Sequence, residues 1–237
     1  MTVRIRLIAL VIVLLGTGSI AASPDPTAPR TPLEALGLLK AGNDRFARNA
    51  SSPVSLSVNR RRDLADVQHP MAMVLSCADS RVPPEYIFNV GLGDLFVIRT
   101  AGEVIDRSIL ATIEYGAEHL NIPLLVVMGH ESCGAVKAAA ESKSASPSPN
   151  LDYLLKAIQA ARKPTTQERD EIKTLVLANV EQVINDAMRN STLLQHQVDA
   201  GRLSVVGAYY ELVSGRVIFS EPVTAEQASA ANASPRH

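Results

Sequence analysis

The chain has 237 residues, of which 46% are apolar and 20% charged, the usage of an ordinary folding domain and not of a disordered or collagen-like chain. Lys+Arg is 23 against Asp+Glu 24, net −1, without the basic excess of a nucleic-acid-coating surface. Two cysteines exclude a disulfide-rich scaffold, and Trp is absent.

Residues 1–22 read as a secretory signal. Arg4 and Arg6 precede an apolar run from Leu7 to Leu15, and small residues follow (Gly16, Gly18, Ser19, Ala21, Ala22). The run is shorter than the ~20 residues a spanning helix needs, so cleavage after Ala21 or Ala22 is expected in place of an anchor. No cysteine follows the run to carry a lipid. Removing Arg4 and Arg6 leaves 21 basic against 24 acidic residues. The expected product is exported, periplasmic or secreted, with no stable membrane anchor and no nucleic-acid partner.

Residues 23–30 carry three prolines and read as a flexible leader to a domain over 31–222, with a tail at 223–237. Thr31-Pro32-Leu33-Glu34 opens a helix, with Thr as cap, Pro in the first turn and Glu34 closing a capping box. Arg60 to Gln68 reads as a short basic helix or turn whose arginines form a solvated face. Met71–Ser76 and Asp94–Arg99 read as buried strands. Asp106 caps a helix with the apolar stripe Ile109, Leu110, Ile113 and Ala117. Pro123–Gly129 is a third strand, the most apolar in the chain. Ser132 is the expected cap of a helix over Cys133–Glu141, and Ser142–Asn150 reads as a low-complexity linker. Helices follow around Leu151–Arg162, Gln167–Met188 and Leu193–Asp199. Leu203–Leu212 and Arg216–Ser220 form a hairpin across Ser214-Gly215. Strands alternating with helices predict an α/β fold: a mainly parallel sheet of about four strands with an antiparallel edge strand, helices on both faces and an N-terminal helical arm.

The chemistry collects at strand ends. Cys77 follows the first strand, His130 follows the third, and Cys133 lies in the first turn of the next helix. Sites in open α/β sheets form outside the carboxyl ends of strands. If the two strands are neighbours, two thiolates and an imidazole converge there, a good zinc set, and the helix start should favour the Cys133 thiolate. A Cys77–Cys133 disulfide is the rival reading in an exported protein. It explains neither His130 nor the polar run Asp79-Ser80-Arg81. Asp79 and Arg81 project to one side of an extended loop, and the arginine would keep the carboxylate ionised.

Cys77-Ala78-Asp79-Ser80-Arg81 taken with His130-Glu131-Ser132-Cys133-Gly134 resembles the β-class carbonic anhydrases. The similarity runs from about Leu36 to the terminal hairpin. It implies zinc-dependent reversible hydration of carbon dioxide to bicarbonate and a proton. It implies Zn²⁺ on Cys77, His130 and Cys133, with Asp79 either on Arg81, leaving the metal open to water, or swung in as a fourth ligand. Gln68, Phe96, Gly102 and Tyr115 resemble residues of the substrate pocket, and His119 resembles a proton-transfer histidine. Glu103 stands where Asn is common in Ala-Gly-Asn. The bicarbonate inhibitory site that one branch builds on a tryptophan cannot exist here. The family also implies a homodimer or higher homo-oligomer. Two other classes stay open at this point: a related zinc hydrolase of the carbon disulfide type, and a non-catalytic zinc- or bicarbonate-binding protein.

Overall fold

The computed structural model describes residues 31–224, except 55, 147 and 163–170, together with 226. The expected signal, the leader and nearly all of the tail lie outside the described residues. In chain order the elements are helix α1 (Pro32–Ala47), α2 (Val58–Asp63), strand β1 (Ala72–Cys77), α3 (Pro84–Ile87), β2 (Leu95–Thr100), a 3₁₀ turn over Ala101–Glu103, α4 (Arg107–Glu118), β3 (Leu124–His130), α5 (Gly134–Glu141), α6 (Pro149–Gln159), α7 (Glu171–Asn190), α8 (Thr192–Asp199), β4 (Ser204–Tyr210) and β5 (Val217–Phe219).

The strands form one sheet in the order β2-β1-β3-β4-β5. The first three pairings are parallel and only β4–β5 is antiparallel, as the alternation of strands and helices predicts. Both β1 and β3 are buried along their whole length, which is why they read as unbroken apolar runs instead of alternating ones. Their side chains still alternate between two cores. Met73, Leu75, Leu125 and Val127 pack on α4, α7 and α8 through Ile113, Val180, Val183 and Leu194. Ala72, Val74, Val126 and Met128 pack on α1 and α3 through Leu36, Leu39 and Ile87.

The first helix starts as its sequence predicts. Thr31 Oγ1 accepts from the Glu34 N–H and Glu34 returns a bond to the Thr31 N–H, a reciprocal cap worth about 1 kcal/mol. Buried Asn43 ties this helix to the far edge of the sheet. Its amide donates to Ile87 O and Gly215 O, and its carbonyl accepts from the Val217 N–H at 2.8 Å.

Three local expectations are corrected. Ser132 does not cap α5. It takes a left-handed backbone (φ 53) that turns the chain sharply after β3, and Cys133 itself occupies the cap position. The segment read as a linker through Asn150 ends early, because Ser148 caps α6 and Pro149 fits its first turn. Arg60 is not merely solvated: its guanidinium donates to Leu92 O and Asp94 Oδ1, tying α2 to the loop before β2. Among the described residues, no helix is long and apolar enough to cross a membrane.

Candidate metal centre

Cys77 is the last residue of β1 and His130 the last of β3, one residue deeper in each strand than their sequence predicts. Because β1 and β3 are adjacent and parallel, both side chains emerge at the same carboxyl edge, and the Ser132 turn brings Cys133 back over them. All three residues are buried, and their donor atoms lie within 4.8 Å of one another. The two sulfurs are 3.9 Å apart and both cysteines are free. A disulfide holds its sulfurs about 2.05 Å apart. Two metal–sulfur bonds of about 2.3 Å at the tetrahedral angle put them about 3.8 Å apart. The spacing is too long for a disulfide and fits two ligands of one cation.

His130 is oriented for the same task. Its Nδ1 lies 2.8 Å from Glu131 O, the geometry of a donated N–H. That bond leaves Nε2 as the free lone pair, and Nε2 is buried without a protein partner. A buried, unpartnered ring nitrogen facing two sulfurs suits a metal far better than a packed core histidine.

Without a cation the two thiols share their charge unequally. The Cys77 thiol is pulled well below its ordinary range by the hydrogen bond from Cys133, against burial, with help from the Gly102 N–H. The Cys133 thiol is pushed up by that same bond and by burial, which outweigh the Val136 N–H at the helix start. The helix start does act on Cys133 in the expected sense, through the Val136 N–H.

Asp79 sits at the mouth of the set, with Oδ2 3.9 Å from His130 Nε2. Arg81 grips it through two parallel bonds, Nε to Oδ1 at 2.9 Å and Nη2 to Oδ2 at 2.7 Å, and the Arg81 N–H adds a third to Oδ1. That grip holds the Asp79 carboxyl far below the usual carboxylate range. Arg99, whose role the sequence does not announce, donates to the carbonyls of Cys77 and Asp79 and so fixes the loop that carries the pair.

Gly102 also reaches the centre. Its N–H donates to Cys77 Sγ at 3.3 Å, and its left-handed φ of 64° is held where a Cβ would lie 2.7 Å from Ile158 Cδ1. The other pocket residues are elsewhere in the same chain. Phe96 pairs with Met73 while Thr100 pairs with Cys77, so Phe96 lies four residues, about 13 Å, back along the sheet. Tyr115 packs on Phe96, and His119 stacks on Tyr115 with ring centres 5.0 Å apart. Gln68 is exposed just before β1, near that same amino-terminal end. One chain does not bring Gln68, Phe96, Tyr115 and His119 to the Cys-His-Cys set.

Such a set at the carboxyl edge of a parallel sheet, with an arginine-held carboxylate at its mouth, is the arrangement of an enzyme that would activate a small molecule at a metal held by Cys77, His130 and Cys133. The family model described as carbonic anhydrase matches residues 72–217. Carbonic anhydrase 2 of Mycobacterium tuberculosis is 37% identical over 198 residues, covering 81% of this chain and 94% of that protein. A carbonic anhydrase of Mycolicibacterium smegmatis is 38% identical over 192 residues, covering 78% and 92%. Among solved structures, a Coccomyxa β-carbonic anhydrase in complex with acetazolamide superposes with a TM-score of 0.66 at 29% identity, covering 82% of this chain and 90% of that one. The chain belongs to the β class of the carbonic anhydrase family.

Proposed function

We propose that Cys77, His130 and Cys133 hold Zn²⁺ and that the chain uses it to hydrate carbon dioxide reversibly to bicarbonate and a proton. The observation that carries the metal assignment is the 3.9 Å sulfur pair facing an unpartnered His130 Nε2. Zinc bound by three protein ligands keeps a fourth position open and supplies the Lewis acidity that makes water nucleophilic near neutral pH. The remaining work falls to this chain's own residues. Asp79, kept ionised by Arg81, is an acceptor only. Oδ1 accepts two bonds from Arg81 but Oδ2 only one, so Oδ2 keeps a lone pair with which Asp79 orients the attacking water by taking one hydrogen bond. His130 stays in one tautomer through its bond to Glu131 O. Carbon dioxide carries no charge, so little more than apolar walls and one polar contact is needed to hold it.

The pocket assignments of Gln68, Phe96 and Tyr115, and the proton-transfer role of His119, then require a second copy. In a homodimer or larger homo-oligomer, the amino-terminal edge of one sheet would meet the metal edge of the next. Export belongs to the same reading and is supported by Arg4 and Arg6 before the Leu7–Leu15 run.

Stopped-flow CO₂ hydration with the purified protein tests the activity, before and after metal removal by a chelator. Activity should be lost with the metal and restored by Zn²⁺. Full activity in metal-free protein would overturn the assignment.

A further inference from the structure

Behind the metal set, on the face packed against α7, lies a second group of buried polar residues. Asn179 is 1% exposed and is the one polar residue of the stretch Leu175–Val180. Its amide nitrogen uses both hydrogens, donating to Gly102 O at 2.8 Å and to Glu103 Oε1 at 3.0 Å. Glu103 is fully buried. Gly102 and Glu103 both have left-handed backbones, φ 64 and 44. Two consecutive residues in that conformation are not held by local preference, so the surrounding contacts must hold them.

The reach of Asn179 depends on Gly129. A Cβ there would lie 2.5 Å from Val176 Cγ1 and 2.9 Å from Val180 Cγ2. The bare backbone of β3 therefore lets α7 close in, and Asn179, one position before Val180, arrives over the turn. With φ and ψ of Gly102 set, anchoring its carbonyl on Asn179 also sets the direction of its N–H, and that N–H points at Cys77 Sγ. A hydrogen bond to a ligating sulfur withdraws charge from it and tunes the metal it serves.

We propose that Asn179 is a positioning residue for the metal centre: by clamping the Gly102-Glu103 turn it keeps the Gly102 N–H on Cys77 and limits how much charge that sulfur donates. Glu103 is the second anchor of the clamp and acts through its Oε1 as an acceptor. This rests on Cys77 being a thiolate ligand, as argued above.

The test uses the full chain loaded with Co²⁺ in place of zinc and reads the sulfur-to-cobalt charge-transfer band. Losing the N–H bond raises the energy of the sulfur lone pair. Asn179→Ala should therefore move the band to lower energy, and Zn²⁺ affinity, read by chelator competition, should change by about tenfold or more. Glu103→Gln keeps an acceptor oxygen for Asn179 and should leave the band in place. If Asn179→Ala does not fold, Asn179→Ser, whose hydroxyl is too short to span both acceptors, should give the same shift. A folded Asn179→Ala or Asn179→Ser protein with the parental band and parental affinity would overturn the proposal. So would an equal shift in Glu103→Gln, which would mean that the Glu103 side chain acts on the sulfur other than through Asn179. A parental protein with no sulfur-to-cobalt band would instead overturn the thiolate ligand set itself.

Discussion

Replacing Cys133 with Ser separates a metal centre from a merely close-packed pair of thiols. Structural zinc sites are worth about 10–16 kcal/mol near neutral pH. Divided among the protein ligands, that is about 3–5 kcal/mol each, or a loss of two to three orders of magnitude or more in metal affinity when one is removed. The fold pays a second, smaller cost. Cys133 is fully buried, and a hydroxyl left there without a cation costs about 1–3 kcal/mol as a buried polar group. Cys133→Ala removes the ligand without adding that hydroxyl. The two variants should therefore be equally poor in metal and equally inactive, with the alanine form melting higher. Elemental analysis after gel filtration, chelator competition, CO₂ hydration and thermal melts of the parent and both variants give the comparison. A Cys133→Ser protein that keeps one metal per chain at parental affinity would refute the reasoning, as would a Cys77–Cys133 disulfide in active wild-type protein.

Gly102→Ala should destabilise by about 2–3 kcal/mol, from the left-handed backbone and the displaced Ile158 tip. At this chain length that lowers the melting temperature by roughly 4–12 °C, and an unchanged melt would show that the turn is not constrained. Arg81→Ala should cut kcat/KM about 10–100-fold while metal content stays at the parental level. Arg81→Lys should recover only part of the loss, because an ammonium cannot make the two parallel bonds; parental rates in Arg81→Ala would remove Asp79 from the reaction. Burial pushes the Glu103 carboxyl up to about 8 from 4.5, against the bond from Asn179. A raised carboxyl favours the folded state most below about 4.5 and loses that contribution as pH rises through about 8. Denaturant titrations of metal-free protein from pH 6 to 9 should show stability falling, and Glu103→Gln should flatten the slope; an unaltered slope in Glu103→Gln would place the titration elsewhere.

The parts of this fold that are local in the chain are readable from the chain. Unbroken apolar runs mark β1 and β3 because both faces of those strands are covered, and the residues at their carboxyl ends are then the natural place to look for a site. What stays hidden depends on how distant segments meet. Nothing near Arg99 in the sequence says that its guanidinium folds back onto the carbonyls of Cys77 and Asp79. Asn179 reaches a turn 77 residues away. Its one advance signal is a lone amide inside an apolar helical stretch, which a core helix carries only when the amide has a partner. The error at Ser132 has a similar origin. A serine before a helix reads as a cap, but the tertiary need to swing Cys133 over Cys77 forces Ser132 into a left-handed turn and moves the cap by one residue. Phe96, Tyr115 and His119 show the limit most plainly: a motif match assigns them to a pocket, and only the strand register reveals that one chain keeps Phe96 about 13 Å back along the sheet, with Tyr115 packed on it and His119 on Tyr115.

The two arginines at the metal edge divide one problem between them. Arg99 spends its donors on backbone carbonyls and holds the loop, whereas Arg81 spends its donors on the Asp79 carboxylate and sets that group's charge. With the proposed ligands, two thiolates cancel the charge of a divalent cation, so a third anion would leave the centre at −1 and strand the Arg81 guanidinium without its partner. With those ligands in place, the bidentate grip would oppose coordination by Asp79 and favour its use as a hydrogen-bond acceptor. The exposures agree with that division. The Asp79 side chain is 17% exposed and that of Arg81 52%, so the arginine faces solvent while the carboxylate faces the buried imidazole.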